Sequence, residues 1–169
     1  MGPEQYRKIY EWFTARPAAL KALALCSRLL PLVQGAAYLA LLALLGFRWA
    51  AGEDSMQLLA RAVLVPGAVF AGGSALRAAL NRPRPYEQPG FAPLLPKETA
   101  GKAFPSRHTL SGAVIAMAWL PVSGAAAAVL AVLAVAIGAT RVLAGVHRVR
   151  DVAAGAALGF GLGALGMLL

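Results

Sequence analysis

The stretch AGVHRVRD, Ala144–Asp151, sets a histidine four residues before an aspartate between two long runs of alanine, valine, leucine and glycine. The other of the chain's two histidines, His108, lies in FPSRHTLSG at the head of another apolar run. On a helix the spacing of His147 and Asp151 turns both side chains to one face. A carboxylate bonded to one imidazole nitrogen fixes the tautomer and leaves the other nitrogen free and more basic, the pairing that nucleophilic and general-base catalysis need. The same spacing also suits an aspartate at a helix start paired with a neighbouring arginine, and spacing alone does not choose between the two.

Ser106, after Pro105, is placed to cap a following helix, and free N–H groups at a helix start attract anions. His108 then falls in the first helical turn. Arg77, Arg84 and Arg141 each end or leave an apolar run. One such arginine usually reaches to lipid headgroups, but several sharing a face with two histidines suit a bound phosphate, whose oxygens match the guanidinium fork. Two histidines and an aspartate could also make a facial metal triad. The surrounding arginines would repel a cation, so no metal and no other cofactor is expected.

The elements that must position these residues follow from composition. Of 169 residues 59% are hydrophobic and 14% charged, with mean hydropathy +0.66; soluble domains carry about 25% charged residues. The chain therefore reads as all-α, a polytopic transmembrane helix bundle of one domain. The net charge of +9 does not point to nucleic acid, because the cations cluster at the ends of apolar runs, as membrane orientation or an anionic ligand at the membrane surface would require. Cys26 is alone, which excludes an intrachain disulfide. Met1 to Arg16 lacks the apolar stretch of a cleavable leader.

Residues 1–28 carry Arg7, Lys8, Arg16, Lys21 and Arg28 among aromatic residues and read as an interfacial amphipathic segment, broken or restarted at Pro17. Residues 29–169 read as the transmembrane domain. Leu29–Phe47, Ala62–Leu76 with part of the preceding turn, Thr109–Val122, Gly124–Thr140 and Val152–Leu169 give five spans, with six as the alternative. Asn81–Pro105 is the one long polar loop, its prolines forbidding a regular helix. Gly155, Gly159 and Gly163 form a small-residue stripe for helix contact, and a homodimer is compatible with the pattern. With five spans the two histidines, Asp151 and seven arginines (Arg77, Arg82, Arg84, Arg107, Arg141, Arg148 and Arg150) share one membrane face.

Three segments then resemble the ordered motifs of the type-2 phosphatidic acid phosphatase superfamily, in its bacterial integral-membrane branch. RAALNRPRP, Arg77–Pro85, is similar to a Lys followed after six residues by Arg-Pro. PSRH, Pro105–His108, is similar to Pro-Ser-Gly-His. TRVLAGVHRVRD, Thr140–Asp151, is similar to Ser-Arg, five residues, His, three residues, Asp. The set covers the chain from about residue 62 to its end.

The resemblance implies a metal-free phosphatase for a lipid phosphate or diphosphate, working through a phosphohistidine. By position, His147 would be the nucleophile, Asp151 its orienting partner, and His108 the acid that protonates the leaving oxygen and then helps to activate water. Arg77, Arg84, Arg141 and Ser106 would hold the phosphoryl oxygens. Arg77 replaces the family's Lys, Thr140 its Ser, and Arg107 its Gly; Arg107 is expected to contact phosphate. Undecaprenyl diphosphate, phosphatidic acid and phosphatidylglycerol phosphate are the candidate substrates. The same residues would serve a phosphotransferase with a lipid alcohol as acceptor, and a non-catalytic binder of anionic lipids would need the arginines but not the histidines. The chain is expected in a bacterial inner membrane, and the cations of residues 1–28 favour a cytoplasmic active face, although the resemblance to cell-wall-lipid enzymes implies the outer side.

Overall fold

The computed structural model describes residues 3–169, all of whose regular elements are helical. Helix α1 (Pro3–Thr14) leads into α2 (Pro17–Ala50), α3 (Met56–Leu80), α4 (Arg107–Trp119), α5 (Gly124–Leu143) and α6 (Val149–Leu168), with one short 3-10 turn at Pro85–Glu87. Helices α2, α3, α5 and α6 are long and apolar enough to cross a membrane. Their outward residues are apolar: Leu32, Leu39, Phe47, Leu64, Val132 and Leu165 are all exposed, the pattern of a bundle whose solvent is lipid.

The helix expected to begin at Leu29 begins at Pro17, a residue suited to the first helical turn. At 1.5 Å per residue its 34 residues span about 51 Å, against a hydrocarbon core of about 30 Å. The excess length carries exposed Lys21 and Arg28 beyond the apolar zone, so charge does not end the helix. The separate amphipathic helix is α1 alone; Met1 and Gly2 lie outside the described residues.

Helix α4 has 13 residues, about 20 Å, and occupies the centre of the bundle. It still connects the two ends, because its Ala118 packs with Leu41, Leu45, Ala62 and Met167 while its first turn lies beside His147. The chain thus passes between the two ends five times. The glycine stripe of α6 is occupied by α4: a methyl group on Gly155 would stand 2.5 Å from the Ser106 carbonyl oxygen, and one on Gly159 2.5 Å from that of Leu110. Small residues here let two backbones touch, which fixes the start of α4 against the start of α6.

Candidate active site

The site is assembled where α3, α4, α5 and α6 meet at one end of the bundle. Asn81 ends α3 in the left-handed conformation at φ 38°, which starts the loop back over the site. One turn earlier Arg77 is buried and its Nη1 donates to the Pro105 carbonyl at 3.1 Å. Arg84 is buried in the loop itself, its Nε donating to the Gly101 carbonyl at 3.0 Å. Glu87 Oε1 accepts from the backbone amides of Arg84 at 2.8 Å and Gly101 at 2.7 Å, closing the proline-rich segment on itself.

Ser106 stands at the N-cap position of α4, but no helix amide donates to its side chain. Its hydroxyl instead accepts from Thr109 Oγ1 at 3.1 Å, and its backbone amide donates to the Asp151 carbonyl at 2.8 Å. That bond ties the second polar segment to the third. In the last turn of α5, Arg141 Nη2 donates to the Ser27 carbonyl at 2.9 Å, bringing α2 to the same end.

His147 is not on a helix with Asp151. Helix α6 starts at Val149, and Asp151 is the third residue of its first turn, accepting the Arg148 backbone amide at 2.9 Å. The helix cap, not a shared helical face, brings the two side chains together. His147 Nδ1 lies 3.8 Å from Asp151 Oδ2 with both side chains buried, and the exposed Arg150 Nε lies 3.8 Å from Asp151 Oδ1. Asp151 is thus a helix-start aspartate beside an arginine, and its carboxylate stands close to the imidazole without a hydrogen bond to it. A separation of 3.8 Å is an ion-pair contact and is too long for a hydrogen bond. Burial pushes the His147 imidazole below its ordinary range; Asp151 pulls the other way, and Arg84 and Arg77 push it further down.

His108 is half-buried and within electrostatic reach of Arg141, Lys97, His147 and Arg107. Arg107 is exposed at the rim, its guanidinium 5.7 Å from the centre of the Phe70 ring. All eight residues singled out in the sequence meet at this end, with Arg107 the outermost. The structure adds Lys97, whose position came from no spacing signal: the fold of the proline-rich loop carries it there.

A cavity of about 410 Å³ runs from Arg107 and His108 past Ser111 to Gln34 and Ile137, between α2, α3, α4 and α5. Its neighbour of about 210 Å³ shares Phe70, Ser111 and Ile115 and continues along α4. The polar cluster thus opens on an apolar groove reaching toward the middle of the bundle, as a site for an amphiphile requires. Within the cluster Arg84 Nη1, Arg141 Nε and His147 Nδ1 are buried without a hydrogen-bond partner among the described residues. Each such group costs about 1–3 kcal/mol; two are guanidinium donors, which suit phosphate oxygens.

The sequence model of the PAP2 superfamily matches residues 58–169. Among solved structures, the crystal structure of Aquifex aeolicus LpxE is similar at 24% identity and a TM-score of 0.61, over 89% of this chain and 94% of that one. That of the first transmembrane PAP2-type phosphatidylglycerolphosphate phosphatase from Bacillus subtilis is similar at 24% identity and a TM-score of 0.56, over 95% and 90%. No curated protein sequence matches the chain.

Proposed function

The chain is an integral-membrane member of the PAP2 superfamily, and from that premise we propose that it hydrolyses a lipid phosphate or diphosphate through a covalent phosphohistidine, without a metal. The observation that carries the reading is the pair of buried guanidinium donors, Arg84 Nη1 and Arg141 Nε, without a partner among the described residues, beside two histidines at the mouth of an apolar groove.

In this mechanism Arg77, Arg84 and Arg141 hold the phosphoryl oxygens, with Ser106 and the first amides of α4 completing the cradle. Fixed cations of this kind stabilise the charge of a transferring phosphoryl group more than that of the bound ground state. Asp151 keeps the proton of His147 on Nδ1 and leaves Nε2 as the nucleophile. Attack by Nε2 forms the N–P bond as the P–O bond to the lipid breaks, and His108 gives the departing oxygen its proton. Water then attacks phosphorus while His108 takes a proton from it; the N–P bond breaks and phosphate leaves. Arg107, at the junction of cradle and groove, contacts phosphate from the rim. The groove along α4 takes the hydrocarbon next to the leaving oxygen.

Undecaprenyl diphosphate, phosphatidic acid and phosphatidylglycerol phosphate are the substrates to compare, the last being the class printed in the name of the Bacillus subtilis neighbour. The site lies at the same end as α1, and the cations of that end favour its facing the cytoplasm. The test is phosphate release from each lipid by purified protein in detergent with EDTA present. Release that persists in EDTA and is lost in His147→Ala supports the reading; release that EDTA abolishes, or that survives His147→Ala, overturns it.

A further inference from the structure

Lys97 lies in the proline-rich segment between α3 and α4 and is partly buried. Arg84, Arg141, Arg107 and Arg77 are all within its electrostatic reach, and burial together with these four charges holds its ammonium below the usual lysine range. None of the ion pairs among the described residues involves it. With Ser27, Arg28, Arg141, Ala144 and Val146 it lines a separate cavity of about 290 Å³, between α2 near Ser27 and the junction of α5 with α6. Three cations line this cavity and, among the described residues, no carboxylate does. Arg141 lines this cavity too: its Nη2 is tied to Ser27, while its Nε is buried without a hydrogen-bond partner among the described residues.

Like charges gathered in a partly desolvated pocket repel one another strongly, and an anion between them removes that cost. The arginine cradle described above accounts for Arg77, Arg84 and Arg141, but not for Lys97 and Arg28, which line the neighbouring cavity with Arg141. We propose that this cavity is a second anion subsite, in which Lys97 and Arg28 hold a phosphate group other than the one under attack. The proposal rests on the phosphatase reading and extends it. Two sources supply such a group: the second phosphoryl group of a diphosphate substrate, and inorganic phosphate after its release.

The experiment has a catalytic arm and a binding arm, both on the full chain in detergent. The first compares kcat/KM for undecaprenyl diphosphate with that for undecaprenyl phosphate in wild type, Lys97→Gln, Arg28→Gln and Lys97→Arg. The second measures Kd for inorganic phosphate in the same proteins by calorimetry. A fall of roughly tenfold in the diphosphate-to-monophosphate ratio in both Gln variants, recovered in Lys97→Arg, identifies the second phosphoryl group; tenfold is the size expected for one charge-assisted contact. An unchanged ratio with Kd for phosphate raised by a similar factor identifies the released product. If neither quantity moves, the subsite is overturned. Arg28 is exposed on α2, so Arg28→Gln carries the test should Lys97→Gln not fold. A wild type inactive on every lipid, yet binding phosphate through Lys97, would sink the phosphatase reading and keep the subsite.

Discussion

The Asp151 carboxylate reaches back across the start of α6 to the His147 imidazole, 3.8 Å from Oδ2 to Nδ1, while the same oxygen accepts the Arg148 backbone amide at 2.9 Å. One side chain thus caps the helix and stands beside the proposed nucleophile. Asp151→Asn keeps an oxygen for the cap and loses the charge. The expected result is a fall in kcat of about 10²–10⁴-fold with little change in thermal stability. Asp151→Ala should lose activity and also about 1 kcal/mol of stability with the cap. Steady-state kinetics and melting in detergent separate the two effects.

His147 should titrate below the ordinary histidine value of 6.5, because burial and two arginines disfavour its cation more than Asp151 favours it. A lowered value means that the neutral, nucleophilic form persists at pH values where a free imidazole is largely protonated. With two histidines in the chain, NMR titration of an untagged His108→Gln protein follows His147 alone. A midpoint below 6.5, lowered further in Asp151→Asn, is expected; a midpoint above 6.5 would contradict the stated balance.

Gly155→Ala tests the contact that sets α4 against α6. Its added carbon would stand 2.5 Å from a backbone oxygen of Ser106, so the helices must separate at the point where Ser106 meets Asp151. Overpacking of this kind costs about 1–3 kcal/mol, and activity should fall with it. Gly161, where an added carbon meets nothing within 4 Å, is the control, and Gly161→Ala should match wild type in both melting and kinetics.

Tyr6 links α1 to the segment before His147. Its hydroxyl donates to the Leu143 carbonyl and accepts from the Leu94 amide, both at 3.2 Å, and its ring stacks on Phe91 at 4.2 Å. Burial pushes its phenol up to about 12. Tyr6→Phe keeps the stack and removes the bonds, for an expected loss of about 1 kcal/mol and a lower kcat as the turn before His147 loosens. An unchanged kcat would show that α1 does not help to hold that turn.

Much of this arrangement is legible in residue type and order. The apolar runs specify the helices, because in lipid each backbone polar group must be paired within its own segment, and the five passes put the polar segments at one end. Residues whose position depends on tertiary contact are not legible. Lys97 reaches the cluster only through a loop closed by Glu87, and Arg28 lines a cavity with Arg141 only because α2 continues unbroken from Pro17. The contact between His147 and Asp151 was expected from helical spacing, yet it arises from a cap at a helix start. Arg107, in place of the family's Gly, stands exposed at the rim of the cavity with its guanidinium 5.7 Å from the centre of the Phe70 ring.

The central claim is covalent catalysis by His147, and trapping the intermediate tests it most directly. Protein mixed with substrate labelled with ³²P in the phosphoryl group, then quenched in alkali, should carry label that is stable to base and labile to acid. It should accumulate in His108→Ala, where water is poorly activated, and be absent from His147→Asn. Turnover of the labelled lipid by His147→Asn at the wild-type rate, with no label on either protein, would contradict the account.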